Sequence, residues 1–215
     1  MARLRILLAD DHTIVRQGLV SILKAVPDFE VVAEAADGSE AVDKALESRP
    51  DVVVLDVTMP RLNGLEAARR IHKALPESRL LVLTMHEDEE YVLKMVRAGA
   101  SGYLVKDGAA VELVTAIRAL GAGQGYFGPQ ASKALAEEVY QGKKPVAEDP
   151  YSRLTDRERE VYQLVVEGCT NAQVADVLCI SSKTVDNHRT HLMEKLGLHS
   201  TVELLRFAAK HGHLS

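Results

Sequence analysis

Three carboxylates, a hydroxyl and an ammonium stand at the ends of short apolar runs in the first half of this chain: Asp10 and Asp11, Asp56, Thr84 and Lys106. The run before Asp56, Val52-Val53-Val54-Leu55, is too short for a helix and mostly β-branched. It reads as a central strand buried on both faces, as in a parallel sheet. Asp56 then sits at the carboxyl end of that strand, where open α/β sheets place their ligands. A strand-end Asp by itself is as readily a cap or turn residue. Gathered along one sheet edge, however, three carboxylates repel one another and call for a cation. Hard oxygen ligands suit Mg²⁺, which keeps several waters and completes its shell with phosphate oxygens. Lys106 can stabilise an anion beside Asp56, and the Thr84 hydroxyl can donate to it. A carboxylate so placed can attack phosphorus.

The elements that must position these groups alternate along residues 1–125. Strands are expected at Leu4–Ala9, Glu30–Ala35, Val52–Leu55, Arg79–Thr84 and Gly102–Lys106. Helices are expected from Ile14 to Val26, Ala41 to Leu46, Asn63-Gly64 to just before Pro76, Glu87 to Ala98, and Ala109 to Leu120. Five strands alternating with five helices imply βαβ units and a doubly wound parallel sheet.

The 215 residues allow two small domains, and 47% hydrophobic with 27% charged residues is an ordinary globular balance. There is no apolar run of membrane-spanning length and no secretory pattern, so a cytoplasmic protein is expected. Cys169 and Cys179 have no ligand spacing and read as free thiols filling apolar gaps. The net charge of −5 is uneven: residues 1–150 hold 18 Lys/Arg against 23 Asp/Glu, whereas 151–215 hold 8 of each. Neither part is a polybasic sleeve, so any DNA contact must be a local patch.

On Asp10-Asp11, Asp56, Met59-Pro60, Thr84, Tyr103 and Lys106, residues 3–122 resemble the receiver domain of bacterial two-component response regulators. The resemblance implies a flavodoxin-like sheet in the order 2-1-3-4-5. It implies that Asp56 accepts a phosphoryl group from a sensor histidine kinase and that Lys106 contacts it. Thr84 and Tyr103 then move toward the phosphate as switch residues. It further implies Mg²⁺ held by Asp11, Asp56 and the Thr58 backbone carbonyl, with Asp10 acting mainly through water. Met85, after Thr84, is bulkier than the small residue many receivers carry there.

Residues 126–150 read as a linker with a short helix near 129–140, and 151–215 as a separate all-α domain. Thr155 with Glu158, Thr170 with Gln173 and Ser200 with Glu203 are capping-box patterns, while Gly168 and Gly197 mark helix ends. Four helices follow, near 156–167, 171–178, 182–196 and 201–210. The middle pair is joined by Cys179-Ile180-Ser181, the short connection of a helix-turn-helix. In the third helix Val185, Leu192 and Leu196 make an apolar stripe with His188 on the same side. Lys183, Asn187, Thr190 and Glu194 face away.

This region resembles the LuxR-type helix-turn-helix domain, through Leu154 to Val161, Gly168, Thr170-Asn171, Val174-Ala175, Ile180-Ser181, Thr184-Val185, His188 and Leu196-Gly197. With the receiver in front, the chain is similar to NarL/FixJ-type response regulators. By that docking Asp186, Asn187 and Thr190 face bases in the major groove, with Lys183, Thr184 and Arg189 nearer phosphates. Asp186 departs from the basic residue often found there, and must either accept from a cytosine amino group or be held by a neighbour. The expected function is a phosphorylation-controlled DNA-binding transcriptional regulator that dimerises when Asp56 is phosphorylated and binds paired half-sites on duplex DNA. It is not expected to be an enzyme beyond its own phosphoryl transfer and hydrolysis. A haloacid-dehalogenase-type phosphatase would want a second Asp two residues after Asp56, where Thr58 stands. A regulator whose receiver no longer takes phosphate is the other alternative, and the intact five-residue cluster argues against it.

Overall fold

The computed structural model describes residues 3–85, 89–106, 109–141 and 150–210, and the chain separates into two compact units, Met1–Gly142 and Lys143–Ser215. In the first unit β1 (Leu4–Ala9), β2 (Phe29–Ala35), β3 (Val52–Asp56), β4 (Arg79–Thr84), β5 (Ala100–Val105) and β6 (Tyr126–Phe127) form one parallel sheet, ordered β2-β1-β3-β4-β5-β6. The helices are α1 (Thr13–Lys24), α2 (Gly38–Ser48), α3 (Gly64–Ala74), α4 (Glu89–Arg97), α5 (Ala109–Gly121) and α6 (Pro129–Gln141).

The pleat of the central strands explains why both faces are covered. Val53 and Leu55 of β3, with Leu7 of β1 and Val82 of β4, point into one apolar layer shared with α2, α3 and α4. Val52 and Val54, with Ile6, Leu8, Leu81 and Leu83, point into the opposite layer against α1 and α5. Every residue of β3 is buried, as expected of a strand with a helix layer on each side.

The sheet has one strand more than the five expected. Tyr126 and Phe127 extend it in register with Gly102 and Tyr103. Ala131 and Leu135 of α6 pack into the layer beneath α4, and Arg97 pairs with Glu138. Residues 126–141, expected within a linker, therefore build part of the first unit. An apolar spacing as sparse as Leu135 and Val139 looks like an isolated helix until the edge of β5 supplies a partner. The beginning of the expected fourth helix, at Glu87 and Asp88, and residues 142–149 of the expected linker lie outside the described residues.

The second unit has a 3₁₀ turn (Pro150–Arg153) and four helices, α7 (Asp156–Val166), α8 (Asn171–Leu178), α9 (Ser182–Leu196) and α10 (Thr201–Lys210). Thr155 and Thr170 make full capping boxes with Glu158 and Gln173. At the third site Ser200 Oγ accepts from Glu203 N, but the Glu203 carboxylate reaches the His199 N–H instead of its cap residue. The core joins Tyr151 and Tyr162, in an edge-to-face pair at 5.1 Å, to Val161, Val174, Val185, Leu192 and Leu204. The expected stripe of α9 is thus the buried one. Cys169 packs at the margin of this core; Cys179 is exposed and closes α8 in the left-handed conformation, so only the first fills an apolar gap.

Candidate functional site

Parallel strands that share a direction bring their carboxyl ends to one edge, and that edge assembles the first site. Asp10 and Asp11 follow β1, Asp56 ends β3, Thr84 ends β4 and Lys106 follows β5. The Lys106 N–H donates to the Thr84 carbonyl at 2.7 Å, which carries the ladder one residue past the strands. Its Nζ lies 2.6 Å from Asp56 Oδ2 and 2.8 Å from Asp10 Oδ2. Asp10 and Asp56 are almost entirely buried, as is Thr84. The turn after β3 is packed too closely for a side chain at its return. Gly64 N donates to the Val57 carbonyl at 2.8 Å, and a Cβ on Gly64 would lie 2.1 Å from the Asp56 carbonyl oxygen.

The charges are set by this crowding. Burial raises the Asp56 carboxyl above its ordinary value, and the hydrogen bond from Lys106 offsets only part of that. Burial would lower Lys106, but its contacts with Asp10 and Asp56 outweigh it and leave the ammonium above its ordinary value. Lys106 thus stays a cation between two carboxylates.

The donor set fits a hard cation. Asp10, Asp11, His12 and Asp56 each bring a ligand atom within 4.8 Å of the others. Asp10 Oδ2 and Asp11 Oδ1 are buried, and their polar neighbours are Lys106 Nζ at 2.8 Å and His12 Nδ1 at 2.7 Å. Carboxylate oxygens in that condition are what Mg²⁺ takes. The Thr58 N–H turns back toward Asp56 Oδ1 at 3.4 Å. His12 was not among the expected residues, although the contiguous Asp10-Asp11-His12 was visible.

Tyr103 is buried in the middle of β5, between Val82 and Phe127 in register, and shares an apolar layer with Tyr91 of α4. Burial, and then the proximity of Tyr103 and Asp56, push the Tyr91 hydroxyl far above its ordinary range. Tyr91 was also missed, because in sequence it is only one apolar position of α4. Met85, by contrast, is 64% exposed beside Thr84.

The second site is the outer face of α9. Lys183 and Asn187 are exposed and make no hydrogen bond or ion pair with the described residues. The other four expected contacts are engaged within the protein. Thr184 Oγ1 lies 2.8 Å from the cap hydroxyl of Ser181, and Thr190 Oγ1 donates to the Asp186 carbonyl at 3.0 Å. Asp186 accepts from Asn171 Nδ2. Arg189 is half-buried and donates to Asn171 Oδ1 at 2.6 Å and to Thr201 Oγ1 at 3.2 Å. The acidic residue in the expected groove face is therefore held by a neighbour. At the inner end of α9, Lys195 bridges both oxygens of Glu158, at 2.9 and 2.6 Å, and so ties α9 to the cap of α7.

Among known families, residues 6–118 match the response regulator receiver domain, and residues 152–208 match the bacterial regulatory proteins of the luxR family. The oxygen regulatory protein NreC of Staphylococcus epidermidis is 41% identical over 212 residues, covering 96% of this chain and 97% of that protein. A LuxR-family two-component response regulator from Aurantimonas sp. is 42% identical over 65% of this chain and 99% of its own, with a TM-score of 0.60. The response regulator RcsB, solved in complex with DNA, is 25% identical with a TM-score of 0.58, covering 96% of this chain and 98% of that one.

Proposed function

The chain belongs to the two-component response regulators that join a receiver domain to a luxR-family DNA-binding domain, and on that premise we propose how its two sites share the work. It is a phosphorylation-controlled DNA-binding regulator of transcription.

In our reading Asp56 is the phospho-acceptor. The observation that carries this is its position: a buried carboxylate ending the central strand, 2.6 Å from an ammonium and within reach of two further carboxylates. The donor is a phosphohistidine of a sensor kinase. As the Asp56 oxygen bonds to phosphorus, the phosphorus–nitrogen bond breaks and the histidine leaves with its electron pair. Asp11, Asp56 and the Thr58 carbonyl, with Asp10 mainly through water, would hold Mg²⁺, whose positive charge would offset the negative charge of the phosphoryl oxygens. Lys106 turns from a carboxylate pair toward the new phosphoryl oxygens, and the Thr84 hydroxyl donates to them. Tyr103 follows Thr84 and alters the α4–β5 face. The receiver's only chemistry is this transfer and the later hydrolysis. We place the protein in the cytoplasm, where kinase and DNA are both accessible; among the described residues no helix is long and apolar enough to cross a membrane.

Phosphorylation favours a homodimer, and the dimer places two α9 helices on paired half-sites. Linking the modules makes the second contact effectively intramolecular, which suits a neutral module with few basic groups. Intact-mass measurement after incubation with Mg²⁺ and a small acyl phosphate tests the first step. One added phosphoryl group is expected for the parent and none for Asp56→Asn; an equal gain in both would sink the assignment. Sedimentation with and without the phosphoryl group tests the second, and an unchanged monomer with unchanged DNA affinity would refute it.

A further inference from the structure

We propose that Asp186 reads no base, and that Asn171 and Asp186 form a clamp which positions Arg189 on the DNA-facing surface. The inference rests on the assignment of DNA binding to α9.

The polarity of the network admits one arrangement. Arg189 has donors and no acceptor, so the Asn171 atom 2.6 Å from its Nη1 is the amide oxygen. The Asn171 amino group is then left to face Asp186, whose carboxylate can only accept. The other arm of the guanidinium donates to the Thr201 hydroxyl. Each donor meets an acceptor along the series Thr201, Arg189, Asn171, Asp186. Asn171 is the first residue of α8 and Thr201 the first of α10, while Asp186 and Arg189 are neighbours three apart on α9. Four side chains therefore join two helix starts to the middle of the recognition helix.

That joining decides what each residue can offer DNA. A carboxylate directed into a groove meets phosphate repulsion unless a cytosine amino group receives it. Here the carboxylate is turned to the Asn171 amino group instead of a base, while its charge remains. The guanidinium has five N–H donors in a planar fork, and the bonds to Asn171 and Thr201 fix its plane while leaving donors over. Its charge is thus held at one place on the rim of α9, suited to a phosphate oxygen. Asn171 acts through Arg189 and is a positioning residue.

The test uses the full chain, treated with an acyl phosphate and Mg²⁺, and a pool of duplexes of randomised sequence. Asn171→Ala should weaken binding to preferred and random duplexes alike, roughly tenfold, and lower the salt slope by about one counterion-releasing contact. Arg189→Ala should do the same, and the double variant should go no further than either alone. A variant that merely unfolded would lose active protein but keep the slope. Asp186→Asn keeps an acceptor for Asn171 and should preserve the preferred bases at every position, with tighter binding to all sequences. If Asp186 instead contacts cytosine, Asp186→Asn shifts one position toward adenine, the base an amide pairs with, and the proposal falls. It also falls if Asn171→Ala leaves the salt slope unchanged. A parent protein that enriches no sequence would overturn the DNA-binding assignment of α9 itself, a result separable from either of these.

Discussion

Replacing Lys106 by Met keeps the alkyl stem and removes the one charge that separates Asp10 from Asp56. The ammonium lies 2.6 and 2.8 Å from the two carboxylates, and its side chain is 12% exposed. At an effective dielectric of about 20, each contact represents roughly 6 kcal/mol of gross attraction, most of it offset by desolvation. Removing one member of a buried pair typically costs about 3–5 kcal/mol. Proton uptake by Asp56, already raised by burial, limits the loss, so about 3 kcal/mol at neutral pH is expected. Hydrogen exchange of the β3 amides, read by mass spectrometry without divalent ions, should then quicken roughly a hundredfold. The pH dependence has a definite sign. A carboxyl whose folded value lies above its unfolded one stabilises at low pH and loses that contribution as pH rises through the folded value. The variant should therefore approach the parent in mild acid and fall behind as pH rises. Mg²⁺ should recover more stability in the variant than in the parent, since it restores the missing positive charge. Equal β3 exchange in the two proteins, or equal protection by Mg²⁺, would refute the role given to Lys106.

Glu158→Gln should destabilise the second unit by about 1–2 kcal/mol at pH 7, by weakening the Lys195 bridge and the Thr155 cap. Burial raises the Glu158 carboxyl, but the bonds from Lys195 and Thr155 outweigh it and hold it below its ordinary value. The stabilisation is therefore present above about pH 4.5 and is lost as pH falls through the folded value, so urea titrations of parent and variant should converge in acid. Gly64→Ala should displace the turn after β3, because its Cβ would meet the Asp56 carbonyl. Slower phosphoryl gain with the fold retained by circular dichroism is expected, and an unchanged rate would show that the turn yields freely. Lys183→Ala should weaken binding to all duplexes and flatten the salt dependence by about one contact, whereas Asn187→Ala should relax preference at particular bases. Identical profiles for the two would refute their division between phosphate and base.

Local sequence determined most of the architecture because the signals it carries are local. Four apolar residues before Asp56 require a strand covered on both faces, and strand direction then sends Asp10, Asp56, Thr84 and Lys106 to one edge without further information. The same holds for α7 and α8, whose capping boxes consist of residues three apart. Other features depend on partners that periodicity does not contain. Two residues, Tyr126 and Phe127, become a sixth strand only because the edge of β5 is open to them, and α6 joins the first unit for the same reason. Tyr91 joins the apolar layer of Tyr103 because α4 is laid over β5, and His12 meets Asp11 because the turn after β1 carries it there. Asp186 shows the difference most clearly. Helical spacing puts it only beside the outer face of α9, and the resemblance to luxR-type docking then makes it a groove residue. Its partner Asn171 lies fifteen residues earlier, on another helix. Only the packing of α8 against α9 brings an amide to that carboxylate, because hydrogen bonds form between atoms that meet in space, whatever their distance along the chain.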